Sequence, residues 1–396
     1  MWFFATACYL ALLNVLDIIM NLTGLSIYRF TVVELGVFNA VWTITYIFSV
    51  RIATRIADRG EFKKNLALSL ALILVSLSTL YYSLASHNKV LLYIAYSAHA
   101  VAASSLRVSV FTSILENYES YKWSRVNRRL VQTTLLIEGL VLALLSQIGF
   151  KAVVSGIAYL SAITVVLAVL SLASIPQPTL LIERILYRIE HSLSRMLLPA
   201  RAALAADYYS IGVPDKQRIA GFREKVASVG LVLICLVGLR ISNEYVLTPL
   251  PYHMMNSVGL GIETIMWIYG LAKLVTALLL SSVFAGTPSK GYFGLALAIR
   301  LLSSMALYTF FDQAFLPVLL LALTLYSNTL VDIALYNLYI EVTYGYGAGY
   351  YSLVNEFSGF MGSLTSGLIY LFFGVPAILV LIVLSTMVFV LLAKNL

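Results

Sequence analysis

The sequence predicts an all-α integral membrane protein with twelve transmembrane helices in two parallel six-helix repeats. Of its 396 residues, 61% are hydrophobic and only 11% are charged, and the mean hydropathy is +0.92. A soluble domain needs a largely polar surface, which this composition cannot supply. The apolar residues also fall into long runs, and a central polar stretch divides these runs into two equal sets.

The apolar runs fit helices and not the strands of a membrane barrel. A bilayer core about 30 Å thick needs about 20 apolar helical residues, whereas barrel strands are shorter and alternate apolar with polar residues. Runs such as Ala71–Leu84 and Ala377–Ala393 are apolar at almost every position. We therefore predict spans at about 3–26, 32–50, 66–85, 90–113, 130–149, 153–174, 227–247, 257–283, 292–310, 315–338, 350–372 and 375–393.

The central polar stretch predicts the domain organisation. We expect an N-terminal six-helix bundle at 1–174, a cytoplasmic linker at 175–226 and a C-terminal six-helix bundle at 227–396. Apolar residues in the linker recur at intervals of four, which favours an amphipathic helix on the inner membrane surface. These residues are Leu181, Ile185, Ile189, Leu193 and Leu197.

The basic residues predict the orientation. With the N-terminus placed in the cytoplasm, 19 of the 26 Lys and Arg residues lie in inner loops or after the last span, and three lie in outer loops. Positively charged loops stay on the cytoplasmic side. We therefore expect a multi-pass protein of the cell membrane with both termini cytoplasmic, monomeric and in contact with lipid. The net charge of +8 reflects this topology and predicts no nucleic-acid partner.

The cysteines and histidines indicate no cofactor and no metal site. Cys8 and Cys235 both lie inside apolar spans, which argues against a disulfide framework and a zinc site. The four histidines lack the spacing of metal ligands.

A weak internal repeat relates the two halves. The segment Asn65–Ala71 matches Gly294–Arg300 at an offset of 229 residues. Glu116 and Glu341 end spans four and ten at an offset of 225. Parallel repeats are a common transporter plan in which the substrate path lies at the repeat interface.

The turn between spans two and three carries a recognisable motif. The stretch Arg51–Lys64 holds five basic and two acidic residues. Its segment Thr54-Arg-Ile-Ala-Asp-Arg-Gly-Glu-Phe-Lys-Lys64 resembles the signature of the major facilitator superfamily, roughly Gly-x-Leu-Ala-Asp-Arg-x-Gly-Arg-Lys-Lys. The Ala-Asp-Arg core and the Lys pair are retained, while Thr54, Glu61 and Phe62 depart from the signature. The resemblance extends to the twelve spans, the two halves and the central loop, and it implies the fold of that superfamily.

The resemblance also implies a gate latch. In this superfamily the signature's Asp and basic residues form a charge relay with an acidic residue that ends span four, and the relay closes the inner gate. The matching residues are Asp58, Arg59, Lys63, Lys64 and Glu116. The alternative is a solvated basic turn that only sets the topology. Span four lacks the Arg-x-x-Gln-Gly motif of proton-coupled antiporters, since it reads Tyr96-Ser-Ala-His99-Ala100, and the sugar-porter signatures are not visible.

Charged residues also occur inside four spans that line the central cavity in this superfamily. They are Asp17 in span one, Arg107 in span four, Arg240 in span seven and Asp332 in span ten. A charge at mid-membrane costs about 3 kcal/mol on insertion scales, so such residues usually face a cavity or a partner. From their depths we predict two gating pairs, Asp17 with Arg240 toward the outside and Arg107 with Asp332 toward the inside.

Three further charges lie at similar depth and are candidates for an inter-half pair or a proton site. They are Glu138, Lys273 and Glu356. We predict that Glu138 in span five pairs with Lys273 in span eight, while Glu356 has no predicted partner. Arg300 in span nine either snorkels or packs within the C-terminal half. Since buried carboxylates favour the neutral form, the candidates for loading a proton are Asp17, Glu138 and Asp332. The alternative for each charge is an ion pair without a role in transport.

These features predict a secondary active transporter and not an enzyme. A small polar solute would move by alternating access, with proton coupling as a hypothesis. The mixture of acids and bases, with Tyr46, Tyr96 and Tyr336 nearby, suits a zwitterionic or anionic solute better than a lipophilic cation. One alternative is a lipid or polysaccharide flippase with another twelve-helix fold. A membrane-embedded enzyme for lipid-linked substrates is less favoured, since its motifs are not found.

Overall fold

The chain is almost entirely helical wherever the structure describes it. This computed structural model describes residues 2–118, 120–176, 216–281, 290–310, 315–343 and 348–393. The N-terminal half contains α1 Trp2–Ser26, α2 Val32–Asp58, α3 Phe62–Ser86, α4 Lys89–Asn117, α5 Ser120–Ile148 and α6 Ile157–Ser174. The C-terminal half contains α7 Lys216–Leu247, α8 Ile262–Ser281, α9 Lys290–Leu307, α10 Leu316–Thr343 and α11 Ala348–Ala393. Each predicted span lies on one of these helices.

Spans eleven and twelve share the long helix α11. Gly374 divides it, with φ 69° and ψ −163°, and Pro376 follows two residues later. The positive φ is readily adopted by glycine alone, and proline cannot supply a backbone N–H. The break therefore turns the chain back without a loop.

Nine helical segments of the described chain are long and apolar enough to cross a membrane. The segment Leu353–Thr386 counts once although it contains parts of two predicted spans. The stretch Gly294–Leu307 of α9 is apolar but shorter. Helix α4 is outside this set, and Lys89, His99 and Arg107 lower its mean hydropathy.

Several helices continue past the apolar core, which corrects the predicted loop boundaries. We predicted the whole charged stretch 51–64 as a turn, yet α2 ends at Asp58 and α3 begins at Phe62. Gly60 makes the turn with φ 76°. Arg and Lys are good helix formers, so charges that reach water do not end a helix, while a residue with positive φ does. Likewise α5 begins at Ser120, ten residues before the predicted start of span five.

The two halves repeat the same helix pairing. Helix α1 packs on α5, α3 on α4, and α2 on α4. In the same way α7 packs on α11, α9 on α10, and α8 on α10. This equivalence confirms the parallel six-helix repeat that the sequence predicted.

The halves meet along two helix pairs, α2 with α11 and α5 with α8. Glycines allow the backbones to approach closely at both contacts. A Cβ on Gly36 would lie 2.7 Å from the carbonyl oxygen of Ser363, and a Cβ on Gly139 would lie 2.7 Å from that of Gly270.

We call the end of the bundle with the turns after α2 and α4 the basic side, and the other end the opposite side.

A hydrogen bond joins the halves on the opposite side. The backbone N–H of Phe150, which begins the short helix Phe150–Ser155 between α5 and α6, donates to Glu263 Oε1 at 3.1 Å. Glu263 lies in the first turn of α8.

The predicted amphipathic helix of the linker, at 181–197, lies outside the described residues.

Candidate functional site

A column of polar and aromatic side chains runs through the N-terminal half. At the level of Asp17, the Tyr96 hydroxyl lies 2.5 Å from Asp17 Oδ1 and 2.9 Å from Asn39 Oδ1, and Asn21 Nδ2 donates to the same hydroxyl at 2.9 Å. The Tyr96 ring is buried and stacks on Phe38 with centroids 4.0 Å apart. Asp17 is thus held by Tyr96 of α4, which also bonds Asn39 of α2.

His99 lies one turn further along α4 and is a satisfied core residue. Trp42 Nε1–H donates to His99 Nδ1 at 3.0 Å, and His99 Nε2 lies 2.9 Å from the carbonyl oxygen of Leu13. An indole can only donate and a carbonyl can only accept, so these partners assign the neutral tautomer with the proton on Nε2. This geometry agrees with packing and not with a role in the cavity.

Arg107 continues the column toward the basic side. Its guanidinium lies 5.6 Å from the centroid of the Tyr46 ring, and Nη2 donates to Asn14 Oδ1 at 3.2 Å. The Tyr46 ring in turn stacks on Trp42, with centroids 5.1 Å apart. Arg107 is therefore placed by an aromatic face and one amide, and no carboxylate hydrogen-bonds to it among the described residues.

The structure pairs Glu138 with Lys273, as the sequence predicted. Lys273 Nζ donates to Glu138 Oε1 across the boundary between the halves. Their side chains are 1% and 14% exposed, so the pair is buried. Asn14 Nδ2 donates to the second carboxylate oxygen of Glu138 at 3.3 Å.

The other two predicted pairs are not formed in this structure. Arg240 pairs instead with Glu244, one turn along α7, at 2.9 Å. Glu244 Oε2 also accepts hydrogen bonds from Ser363 and Thr248, each at 2.8 Å. Arg240 lies flat against Gly359, where an added Cβ would be 3.0 Å from Arg240 Nε. The spacing of four between Arg240 and Glu244 was the sequence signal for this pair.

Glu356 lies among charges from both halves. It interacts electrostatically with Arg107 of the N-terminal half and with Arg240 and Asp332 of the C-terminal half. Asp332 is exposed, and so is Tyr336 one turn further toward the basic side. Four charges, those of Arg107, Arg240, Asp332 and Glu356, therefore lie around one region between the halves, and Asp17 interacts electrostatically with Arg107.

Arg300 packs within the C-terminal half and does not snorkel. It is 1% exposed and donates to neutral groups on neighbouring helices. Its strongest contacts are with Asn328 Oδ1 at 2.5 Å, Asn243 Oδ1 at 2.7 Å and the Ser242 hydroxyl at 2.9 Å. Neutral acceptors carry no charge pattern in a sequence, so this cradle could not be predicted from spacing.

The predicted latch is described only in part. Arg59, Lys63 and Lys64 are exposed, and Lys64 Nζ pairs with Glu61 at 2.8 Å. Glu116 lies in the last turn of α4, whereas the side chain of Asp58 lies outside the described residues. The latch stays a prediction.

No group of three or more His, Cys, Asp and Glu residues that could hold a metal occurs in the described ranges. The charges instead form pairs and hydrogen-bonded networks. Such an arrangement can bind a polar solute and can move a proton between neighbouring oxygens.

Comparison with solved structures shows the fold. The chain is similar to a bacterial homologue of the human drug peptide transporters PepT1 and PepT2, with a TM-score of 0.68 and 12% identity over 100% of this chain and 97% of that chain. A structure from a study of proton dependent oligopeptide transporters has a TM-score of 0.66 and 14% identity, over 99% of this chain and 95% of that chain. The xylose transporter XylE from E. coli, in a partially occluded inward open conformation, has a TM-score of 0.63 and 12% identity, over 99% of this chain and 97% of that chain.

No family model matches the chain, and no curated protein matches its sequence. The structural likeness extends over essentially the whole chain in each comparison, at identities too low to carry a substrate from one protein to another. Together with the twelve predicted spans, the repeated helix pairing and the two inter-half contacts, it establishes that the chain has the major facilitator superfamily fold.

Proposed function

We propose that the protein is a secondary transporter that moves a small polar solute by alternating access. The observation that carries this proposal is the position of Glu356 among Arg107, Arg240 and Asp332, which brings charges of both halves to one region. Each intramembrane charge costs about 3 kcal/mol on insertion scales. Charges retained at such a cost between two mobile halves suit a solute site.

The charges favour a solute that carries both signs. Arg107 presents a guanidinium that no described carboxylate hydrogen-bonds, and it lies against the Tyr46 ring. Asp332 presents an exposed carboxylate on the other half. A zwitterion or an organic anion can contact both halves through such groups, and a lipophilic cation would use only the acids. The similar structures include peptide transporters and a xylose transporter, and the charges favour a peptide-like solute over a sugar.

Hydrogen-bond counting supports proton coupling at Asp17. The single proton of the Tyr96 hydroxyl faces two oxygens, Asp17 Oδ1 and Asn39 Oδ1. The amide of Asn39 cannot be turned to donate here, because its Nδ2 donates to the carbonyl oxygen of Leu35 at 3.1 Å. A proton on Asp17 completes the network, since Asp17 then donates to Tyr96 and Tyr96 donates to Asn39. We propose Asp17 as the site that loads a proton.

The geometry also supports a state closed on the opposite side. The close backbone approach of Gly36 to Ser363 and the bond from Phe150 to Glu263 lie toward that side. Asp332 and Tyr336, on the basic half of α10, are exposed. With the basic side placed in the cytoplasm by the positive-inside rule, this is an inward-facing arrangement. Both termini would be cytoplasmic, and the protein would act as a monomer in the cell membrane.

The alternatives have lost support. A flippase with another twelve-helix fold is excluded, because the chain has the major facilitator superfamily fold. An enzyme for lipid-linked substrates has no motif in the sequence, and the similar solved structures are described as transporters.

Reconstitution into proteoliposomes tests the proposal. The probes are dialanine, glutamate, xylose and tetraphenylphosphonium, each assayed with and without an imposed pH gradient. We expect the gradient to drive dialanine or glutamate and not tetraphenylphosphonium. Arg107→Gln and Glu356→Gln should each reduce this transport at least tenfold. Lys151→Gln, at an exposed position of the short helix between α5 and α6, is the matched control. Unchanged transport in both cavity variants would contradict the assigned site.

Asp17→Asn tests the coupling separately. The amide cannot release a proton, so the variant should exchange labelled for unlabelled solute across the membrane but should no longer respond to the pH gradient. A response equal to that of the unaltered protein would remove Asp17 as the proton site.

A further inference from the structure

Asn14 lies between two charged groups of different function. Its Oδ1 accepts from Arg107 Nη2 at 3.2 Å, and its Nδ2 donates to Glu138 Oε2 at 3.3 Å. A guanidinium can only donate and an ionised carboxylate can only accept, so the two neighbours fix the orientation of the amide. One side chain of α1 thereby connects α4 to α5.

The connection continues into the other half. Glu138 Oε2 accepts a hydrogen bond from Asn14 and Oε1 accepts one from Lys273, so both carboxylate oxygens are hydrogen-bonded. The pair lies where the backbones of α5 and α8 approach closely, since Gly139 follows Glu138 directly and faces Gly270, one turn before Lys273. An uninterrupted chain of contacts therefore runs from Arg107 through Asn14 and Glu138 to Lys273.

The links of this chain differ in strength. The ion pair between Glu138 and Lys273 is buried and joins two ionised groups, whereas each bond of Asn14 has one neutral partner and is longer than the usual 2.9–3.0 Å for N–H···O contacts. An anionic group that binds Arg107 competes directly with the neutral oxygen of Asn14. Once its oxygen loses the guanidinium, the partly buried amide carries an unpaired acceptor. A rotation of the Asn14 side chain that brings this oxygen to a new donor takes Nδ2 away from Glu138, which then loses its second donor.

We infer that Asn14 is a positioning residue that transmits the occupancy of Arg107 to the ion pair between the halves, an inference that rests on the proposed transport function. Binding of an anionic group at Arg107 loosens the contact between α5 and α8 through Asn14. Because coupling is reciprocal, loosening that contact also changes the affinity at Arg107. The Asn14 amide is thus a two-position element between the solute site and the moving interface.

Distance measurements between α5 and α8 test the inference without a substrate. Spin labels replace Arg129 and Ser281, both exposed near the basic ends of these helices, in a protein whose free cysteines Cys8 and Cys235 are replaced. Arg107→Gln removes the guanidinium, and because the glutamine amide ends at the position of Arg107 Nε, short of Nη2, the variant mimics an arginine withdrawn from Asn14 by a ligand. We expect this change to broaden or shift the distance distribution when Asn14 is present.

The decisive comparison repeats Arg107→Gln in an Asn14→Leu background. There the expected distribution is the same with and without Arg107→Gln, because the connection is already broken. Thr23→Val is the matched control on α1, since the Thr23 hydroxyl donates to the Ile19 carbonyl of its own helix and to no side chain of the described residues. In the Thr23→Val background the response to Arg107→Gln should persist. A response that survives Asn14→Leu, or no response to Arg107→Gln in the unaltered background, would overturn the inference.

Asn14→Asp distinguishes loss of the hydrogen bond to Glu138 from a packing defect caused by a change in side-chain size. It keeps the size of the side chain and the acceptor for Arg107, but it replaces the donor to Glu138 by a carboxylate. A folded Asn14→Asp protein should therefore show the loosened distribution even with Arg107 present, and a distribution like that of the unaltered protein would contradict the inference. No step of this test measures transport, so a failure of the proposed function would be seen separately in the proteoliposomes.

Discussion

The two halves share one helix pairing but hold their equivalent helices α3 and α9 in different ways. Helix α3 carries serines at intervals of seven that donate to backbone carbonyls at the start and middle of α4. Ser69 bonds Ala102 at 2.8 Å, Ser76 bonds Ala95 at 2.7 Å and Ser83 bonds Asn88 at 2.9 Å. Helix α9 instead inserts the single buried guanidinium of Arg300 among α7, α10 and the end of α11.

The two arrangements differ in how the polar contacts between membrane helices are distributed, over several serines in one half and on one guanidinium in the other. Each serine bond is one of several similar contacts, and hydrogen bonds between membrane helices average about 0.6 kcal/mol. Arg300 directs its donors to Asn328, Asn243 and Ser242, and no other cation of the described residues hydrogen-bonds these three side chains. Losing one serine should be tolerated, and losing Arg300 should not.

The largest effect is expected for Arg300→Met. It leaves the oxygens of Asn243, Asn328 and Ser242 buried without their donor, and each unsatisfied group costs about 1–3 kcal/mol. We expect a loss of more than about 3 kcal/mol, seen as a lowered melting temperature in detergent. Arg300→Lys, which keeps the charge but has fewer donors, should lose less. Arg51→Met, at an exposed position of α2, should leave the melting temperature nearly unchanged. Equal stability of Arg300→Met and Arg51→Met would show that the cradle is not needed.

An intermediate effect is expected at the boundary between the halves. Gly139→Val would place its Cβ 2.7 Å from the backbone oxygen of Gly270, and a backbone atom on a packed helix cannot easily move away. Overpacking of this kind costs about 1–3 kcal/mol. Gly230→Val is the matched control, because nothing lies within 4 Å of a Cβ at that position. Melting curves should separate the two variants, and coincident curves would argue that α5 and α8 are not in close contact.

The smallest effect is expected for a single serine of α3. Ser76→Ala should cost about 0.6 kcal/mol. The triple replacement of Ser69, Ser76 and Ser83 should cost about 3 kcal/mol if the bonds act independently, because Ser69 and Ser83 also bond the hydroxyls of Tyr9 and Tyr28. The measurement is the same melting curve, with Ser86→Ala as a control at an exposed position of α3. A single replacement as harmful as Arg300→Met would erase the difference between the halves.

The sequence predicted the fold well because the bilayer imposes strong rules. Apolar length locates the helices, and the Ala-Asp-Arg core at the end of α2 pointed to the superfamily. The pair of Glu138 and Lys273 could also be predicted, since their depth and helices matched. The predicted turn at 51–64 was too long, because α2 continues through Arg51 and Arg55 to Asp58, and the positive φ of Gly60 makes the turn.

Neutral polar residues explain most of what was missed. Asn14 bonds Arg107 and Glu138, while Asn39 and Trp42 bond Tyr96 and His99. An amide or an indole inside an apolar run gives no periodic signal. The partners of Asp17 and Arg107 were therefore sought among opposite charges, whereas the structure supplies Tyr96 and Asn14. Charge pairing alone is a poor guide wherever neutral donors and acceptors are within reach.

Alternating access is tested most directly by two distances measured on opposite ends of the bundle. One pair of spin labels replaces Ser86 and Asn256 on the opposite side, and the other replaces Asn117 and Ser281 on the basic side, all at exposed positions. Samples are compared at mildly acidic and mildly alkaline pH, with and without dialanine. The account predicts that the first distance lengthens while the second shortens, and that Asp17→Asn removes the response to pH. Two distances that stay fixed, or that change in the same direction, in every condition would contradict it.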